Sequence, residues 1–297
     1  MKYFVFEAGG RCGFSAELFF RQYKLNDTNS SDVLYLVDKD PLYSLIPNYG
    51  DVVRCDETKA FELLAQDRGE IMIFPADELT RQSNELVKGV ASRDHLSKID
   101  RLYYDKTAVN IVLQNMKGCR RILVPTTMIC DDVCIRPKNM SAGTKGVHFE
   151  SNVCVTEKIN IQNEYVVDVL SNEDGIRMYA REVKLRSGYD KMIRFLPDDD
   201  PLYDCIEEFV KCAKNTPLQG LFTGIFHLQI AKDTGGLYFY IESSKRMSGT
   251  SIVNIVNGYN PFCFINGIEL PKTDSPFKSD VWYRYEDILI DVQRYVM

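Results

Sequence analysis

Histidine is scarce in this chain of 297 residues: His95, His148 and His227 are the only three. They stand too far apart in sequence to suggest a catalytic triad or a metal cluster. The nine cysteines run from Cys12 to Cys263 with no CxxC pair, and Cys130 and Cys134 have no second pair at zinc-site spacing. Neither a zinc site nor a disulfide framework is indicated, and the cysteines read as reduced thiols, several in core positions. No apolar run approaches the about 18 residues that a membrane span needs. The strand-like start at residues 1–6 meets Gly9-Gly10 too soon for a signal peptide. Nor is there a dominant basic stripe: 36 Lys and Arg against 42 Asp and Glu leave a net charge of −6. That balance argues against nucleic acid or an anionic membrane as a partner, yet it permits a local basic pocket for a phosphorylated small molecule. Internal repeats and low-complexity linkers are absent too. Together these point to a soluble, cytoplasmic protein with neither a nucleic-acid nor a membrane partner.

What is present is an ordinary globular composition, 45% hydrophobic and 26% charged, in a chain long enough to bury a substantial core. The first third alternates strands and helices: strand 2–6, helix 14–23 with Phe14, Leu18 and Phe19 on one face, strand 33–37, helix 58–66 and strand 71–74. This βαβαβ rhythm implies a small doubly wound parallel α/β unit that ends near residues 92–98. The middle carries a helix over 104–116 and short strands at 121–124, 128–136, 146–149 and 153–159. Longer strand pairs follow, 164–170 with 176–186 and 225–232 with 238–242, the second turning through Asp233-Thr234-Gly235-Gly236. Between the pairs a helix places Tyr203, Ile206, Phe209, Val210 and Ala213 on one face. The expected fold class is therefore α/β: a small doubly wound parallel N-terminal domain followed by a mainly antiparallel α+β body.

Three places could carry chemistry. The turn Gly9-Gly10-Arg11-Cys12-Gly13 follows the first strand, where a helix N-terminus can hold an anion, and Asp38 closes the second strand. This is the layout of a dinucleotide site, and it admits an NAD-binding dehydrogenase or epimerase reading resting on Gly10 and Asp38. The glycines do not form GxGxxG, however, and Asp38 opens an Asp-Lys-Asp-Pro turn, so a packing role is the plainer reading. At the second place a strand delivers Arg136 in Ile135-Arg136-Pro137, ahead of the small-residue loop 141–146. That loop's N–H groups and Lys145 could approach phosphate oxygens, or it could be a hairpin tip. The third is the last strand pair. Alternation puts Glu242 and Ser244 on one face, Gln229 can join them from the neighbouring strand, and Arg246 lies just beyond. Oxygen donors on a rigid surface suit Mg²⁺ when phosphate completes its shell, and a nearby arginine suits a transferring phosphoryl group. A solvated polar sheet face fits the same residues equally well.

Taken in order, these segments resemble the ATP-grasp superfamily, and within it the ATP-binding halves of the carbamoyl-phosphate synthetase large chain look most similar. Asp105-Lys106 is similar to the Asp-Lys that opens the family's small nucleotide lobe. Ile135-Arg136-Pro137 resembles the synthetase's Ile-Arg-Pro, and residues 141–146 the loop that closes over the triphosphate. Val155-Thr156-Glu157-Lys158-Ile159 resembles the hinge that holds adenine, with Glu164 in the place of the ribose-binding glutamate. Gln229 and Glu242 resemble the paired metal ligands, Ser244 stands where the family usually has asparagine, and Arg246 looks like the arginine beside the transferred phosphate.

The resemblance implies a pre-ATP-grasp domain over 1–98, a small lobe over 99–159 and a large lobe over 160–297 that carries the metal site. It further implies ATP and Mg²⁺ as cofactors. Lys106, Arg136, Lys145, Glu157, Lys158, Ile159 and Glu164 would then bind ATP, Gln229, Glu242 and Ser244 would hold the metal, and Arg246 and Arg136 would be catalytic. The activity implied is a ligase joining a carboxylate to an amine or ammonia through an acyl phosphate. The family's habits are compatible with a glutaminase partner and with a homodimer. Ser244, and a segment between Pro125 and Arg136 too short for the family's usual helix, motivate the alternative of a nucleotide-binding partner or regulatory subunit without ligase activity.

Overall fold

The computed structural model describes residues 1–6, 8–9, 11–66, 71–75, 105–127, 133–137, 153–187, 190–270, 281–285 and 288–291. The chain forms two compact units. The first comprises Met1–Ile99 with Arg246–Ile255 and Asn260–Leu270, and the second Asp100–Lys245 with Val256–Tyr259 and Pro271–Met297.

In the first unit, strands β1 (Lys2–Phe6), β2 (Val33–Asp38), β3 (Val52–Asp56) and β4 (Ile71–Pro75) form a parallel sheet in the order β3-β2-β1-β4. Helices α1 (Arg11–Asn26) and α2 (Glu57–Gln66) connect them. Every residue of β1 from Tyr3 to Phe6 is buried, as expected for a central parallel strand covered on both faces. Phe4 and Phe6 face a cluster with Val37, Cys55, Ala60 and Leu64 of β2, β3 and α2. On the other face Tyr3 meets the rings of Phe20 and Phe262 edge-on, at 5.9 and 5.0 Å. Phe262 belongs to α5, a short helix over Pro261–Ile265, whose capping residue Asn260 donates to the Phe19 carbonyl of α1 at 2.8 Å. Residues far along the chain thus complete the core of the N-terminal unit. Strand β3 was not expected. It is an edge strand needing burial at Val52 and Cys55 only, while Arg54 in its middle reaches out to Glu17 of α1 at 2.5 Å and interrupts any apolar run.

The second unit starts with α3 (Lys106–Gln114), which begins later than the expected 104–116 because Asp105 is its N-cap and accepts from Thr107 and Ala108 N–H, and ends earlier at the Asn115 C-cap. Strand β5 (Ile122–Leu123) follows. Strands β6 (Val133–Pro137) and β7 (Val153–Glu157) then form a two-stranded antiparallel sheet. The expected strand at 128–136 appears as β6, residues 128–132 lying outside those described, as does the expected strand 146–149. An eight-stranded sheet is built from β8 (Ile161–Ser171), β9 (Ile176–Ser187), β10 (Asp190–Phe195), β11 (Gly224–Asp233), β12 (Tyr238–Ser244), β13 (Val281–Tyr285), β14 (Ile288–Asp291) and β5. Its order is β14-β13-β10-β9-β8-β11-β12-β5, antiparallel throughout except where β5 runs parallel to β12. Gly236, at φ +87°, closes the β11–β12 hairpin with the Asp233 carbonyl, so that turn requires glycine or a strained substitute. Helix α4 (Pro201–Lys214) is capped by Asp200, starts on Pro201 and carries Lys211 and Lys214 in its last turn, a favourable arrangement at both ends. It buries Leu202, Ile206, Phe209, Val210 and Ala213, and Phe209 stacks on Tyr240 of β12 at 5.5 Å. That packing covers one face of the sheet with apolar surface and leaves the polar residues of β8, β11 and β12 to the other.

Candidate functional site

Residues opposite one another on neighbouring strands share a face. One row across the large sheet is Arg181 of β9, Val166 of β8, Gln229 of β11 and Glu242 of β12, and the next is Tyr179, Asp168, His227 and Ser244. Glu164 lies on the same face, opposite Ala231. An irregularity after Gln229, where Ile241 is passed over so that Ile230 pairs with Tyr240, lets Glu242 face Gln229 while Tyr240 turns to the α4 side. Gln229 Nε2 donates to Glu242 Oε1 at 2.9 Å. The two residues expected as paired metal ligands are therefore in direct contact.

Lys106 joins them. As the first residue of α3, held behind the Asp105 cap, it places Nζ 2.8 Å from Glu242 Oε2, with the lysine side chain 11% and the glutamate side chain 18% exposed. The Asp-Lys pair thus has a local cause: the aspartate fixes where the helix starts, and that start aims the lysine at the carboxylate. Lys106, expected among the ATP-binding residues, thus stands against the carboxylate expected to hold the metal. Both oxygens of Glu242 are engaged, one by an amide and one by an ammonium.

The other expected residues are carried by several different elements. Glu157 ends β7, its N–H donating to the Thr126 carbonyl at 3.0 Å and its Oε1 accepting from Thr126 N–H at 2.9 Å. Lys158 and Ile159 lie in the three-residue connection from β7 of the small sheet to β8 of the large one. Glu157 also lines an open cavity of about 440 Å³ together with Leu113, Ile122, Val124 and Phe239. Arg136 sits in β6 opposite Cys154; its side chain, Lys145 and the whole 141–146 loop lie outside what the structure describes. Ser244 ends β12, 2% exposed and opposite the buried His227. Arg246 donates to the Met247 carbonyl at 3.1 Å and begins the first segment assigned to the N-terminal unit.

The donor set limits what metal could be held. Among the described residues no group of three or more His, Cys, Asp or Glu could bind an ion. Glu242 supplies one carboxylate, and Gln229 and Ser244 offer neutral oxygens. Such a set fits Mg²⁺ that brings phosphate oxygens with it, and does not fit a self-sufficient protein cage.

The dinucleotide-like start has local explanations. Asp38 Oδ2 accepts from Gly9 N–H at 2.8 Å and Oδ1 from Asp40 N–H at 3.0 Å, so this carboxylate closes the turn where an anion would bind. At Gly13 a Cβ would come 2.0 Å from the Ala8 carbonyl oxygen, which makes the glycine a packing requirement. The described cysteines Cys55, Cys119, Cys205, Cys212 and Cys263 are unpaired, and burial pushes the thiols of Cys55 and Cys263 up to about 11 and about 12. No described helix is long and apolar enough to cross a membrane.

Sequence reasoning missed a buried ion pair on the same sheet face. Arg181 Nη1 lies 2.6 Å from Asp168 Oδ2, and both side chains are fully buried. The available signal was alternation: Asp168 is two pairs along β8 from Glu164, and His227 one pair from Gln229, so both had to share the polar face.

No protein-family model and no curated protein matches the chain in sequence. Solved structures do match it in fold. An ATP-grasp superfamily protein from Archaeoglobus fulgidus aligns over 98% of this chain and 99% of its own, with a TM-score of 0.64 at 13% identity. N5-carboxyaminoimidazole synthase from Aspergillus clavatus, in complex with ADP and 5-aminoimidazole ribonucleotide, aligns over 91% of this chain and 78% of its own (TM-score 0.62, 13% identity). L-amino acid ligase from Bacillus licheniformis aligns over 92% and 76% (TM-score 0.60, 12% identity). At such identities the likeness is one of fold. The chain has the ATP-grasp fold, a parallel α/β sheet followed by an α+β body; the likeness is not specific to the carbamoyl-phosphate synthetase branch.

Proposed function

We propose that the protein is an ATP- and Mg²⁺-dependent ligase that joins a small-molecule carboxylate to an amine or ammonia through an acyl phosphate. The observation that carries this reading is the convergence of Lys106, Gln229 and Glu242 on one sheet face in a chain with the ATP-grasp fold. In this reading residues 99–159 form the closing lobe, 160–297 the metal-bearing lobe and 1–98 a domain that does not bind ATP. Glu157 and the backbone of Lys158 and Ile159 hold adenine at the connection between the sheets, and Glu164 takes the ribose. Lys106 and Arg136 neutralise the phosphates, and Lys145 closes over them.

Glu242, Gln229 and Ser244 would hold Mg²⁺, which when bound supplies charge neutralisation at the β- and γ-phosphate oxygens. A carboxylate oxygen attacks the γ-phosphorus in line and ADP leaves. Arg246 stabilises the equatorial oxygens, and the amine nitrogen then displaces phosphate from the acyl carbon and loses a proton. The residues' work is positioning and electrostatics, which needs no protein nucleophile.

The specific carbamoyl-phosphate synthetase likeness remains part of this proposal through Ile135-Arg136-Pro137. The single carboxylate at the metal site, with Ser244 beside it, favours one alternative: a nucleotide-binding protein without ligase activity. ADP release stimulated by a carboxylate with an amine decides between them. In the ligase, Glu242→Ala reduces stimulated ADP release to background while leaving the fold intact, read by circular dichroism. Wild-type turnover in that variant contradicts the metal assignment.

A further inference from the structure

The position of Lys106 has a consequence for the order in which ligands enter. Glu242 Oε2 is the oxygen a cation would use, and an ammonium already stands 2.8 Å from it. Gln229 holds the other oxygen at 2.9 Å, so the carboxylate cannot turn to offer a free face without breaking one contact. The lysine is well placed to stay: the Asp105 cap fixes the helix start, and only 11% of its side chain is exposed. A hydrated divalent ion arriving alone meets one carboxylate whose charge is already balanced, and it must sit beside another positive charge. Mg²⁺ sheds water reluctantly and gains little from such a site. A nucleoside triphosphate changes the balance, because it brings several negative oxygens that can take the ammonium as the metal takes Glu242.

We infer that Lys106 is the specificity-determining residue that keeps divalent cations off Glu242 until nucleotide arrives, passing from the carboxylate to the triphosphate as the metal enters with it. This rests on the ATP reading of the site. It makes the metal site nucleotide-dependent through the Lys106 ammonium, and it gives Lys106 two successive partners, the Glu242 carboxylate and the triphosphate.

The test uses Mn²⁺ as a paramagnetic probe, with water-proton relaxation or EPR of the free ion as the readout, on the full chain. Lys106→Met keeps the apolar stem and removes the charge, and Lys106→Gln is the second neutral variant should Met fail to fold. In the absence of nucleotide the wild type shows no saturable Mn²⁺ binding at millimolar concentration, whereas either variant binds Mn²⁺ at least about tenfold more tightly, a change of one pK unit in affinity. Adding Glu242→Gln to the variant abolishes that gain. With a non-hydrolysable ATP analogue present the order reverses: the wild type binds Mn²⁺ and nucleotide together, and the neutral variants bind the pair more weakly. Nucleotide binding to the wild type with unchanged Mn²⁺ affinity in both variants overturns the inference and leaves the ATP reading standing. Enhanced Mn²⁺ binding in the variants, with no nucleotide bound by any form, keeps the exclusion by Lys106 and overturns the ATP reading. Wild-type protein that binds Mn²⁺ alone as tightly as the variants overturns the inference outright.

Discussion

Replacing Arg181 with methionine removes a charge from the interior while nearly keeping the volume, so it isolates the electrostatic contribution of the buried pair. The guanidinium and the Asp168 carboxylate are 2.6 Å apart with neither side chain exposed, so the variant takes a close countercharge away from a carboxylate in a low-dielectric site. Losing one partner of a buried ion pair typically costs about 3–5 kcal/mol, whereas exchanging both for apolar residues is often neutral or favourable. For a unit of roughly 150–250 residues each kcal/mol moves the melting temperature by about 2–4 °C, which places Arg181→Met about 6–20 °C below wild type. Asp168→Leu should lose a similar amount for the converse reason. The double variant Arg181→Met/Asp168→Leu should recover most of the loss, because neither charge is then stranded. Urea and thermal unfolding of the four proteins give the cycle directly. A single variant within about 1 kcal/mol of wild type, or a double variant as unstable as the sum of the singles, would refute the reasoning.

Two other perturbations probe separate parts of the fold. Gly13→Ala should destabilise the first unit: alanine gains up to about 1 kcal/mol of helix propensity, but a Cβ 2.0 Å from the Ala8 carbonyl oxygen forces a backbone shift costing about 1–3 kcal/mol or more. Unfolding that is unchanged or later than wild type contradicts the close approach. In the second unit, burial alone would raise the Glu182 carboxyl, but the Asn163 hydrogen bond with the Arg194 and Lys184 charges holds it below the ordinary value of 4.5. The unfolded chain therefore takes up this proton first as pH falls, so the stabilisation is complete above about pH 4.5 and is lost as pH drops through the folded value. Glu182→Gln should flatten the fall in urea stability between pH 5 and lower values; the same acid limb in both proteins contradicts it.

Alternation and apolar spacing made the parallel unit and the two long strand pairs legible, because β1, β2, β8 and β11 each bury a regular set of side chains. Strand β10 was hidden: it sits beside β9 with a register shift at Asp190, and exposed Arg194 interrupts it. Strands β13 and β14 are short, at five and four residues, too brief to show a clear alternation. No local signal foretold that Asn260 would donate to Phe19, 241 positions earlier, and carry α5 into the first unit. At the site, the motif order led to Gln229, Glu242 and Lys106, and the sheet register brings the first two together. What the sequence did not reveal is the third contact, since Lys106 and Glu242 meet only through tertiary packing. The Arg181–Asp168 pair was not legible for a related reason: Asp168 lies diagonally from Arg181 across the β8–β9 hairpin, in a register closed by the turn at Asn172–Gly175.

The account stands on nucleotide binding at the Lys106–Gln229–Glu242 face. Titration calorimetry with a non-hydrolysable ATP analogue, with and without Mg²⁺, on wild type and Glu242→Ala tests it most directly. The prediction is saturable binding to the wild type that Mg²⁺ strengthens, and loss of that Mg²⁺ dependence in Glu242→Ala. Absence of binding at millimolar analogue, or an Mg²⁺ dependence that survives in Glu242→Ala, would contradict it.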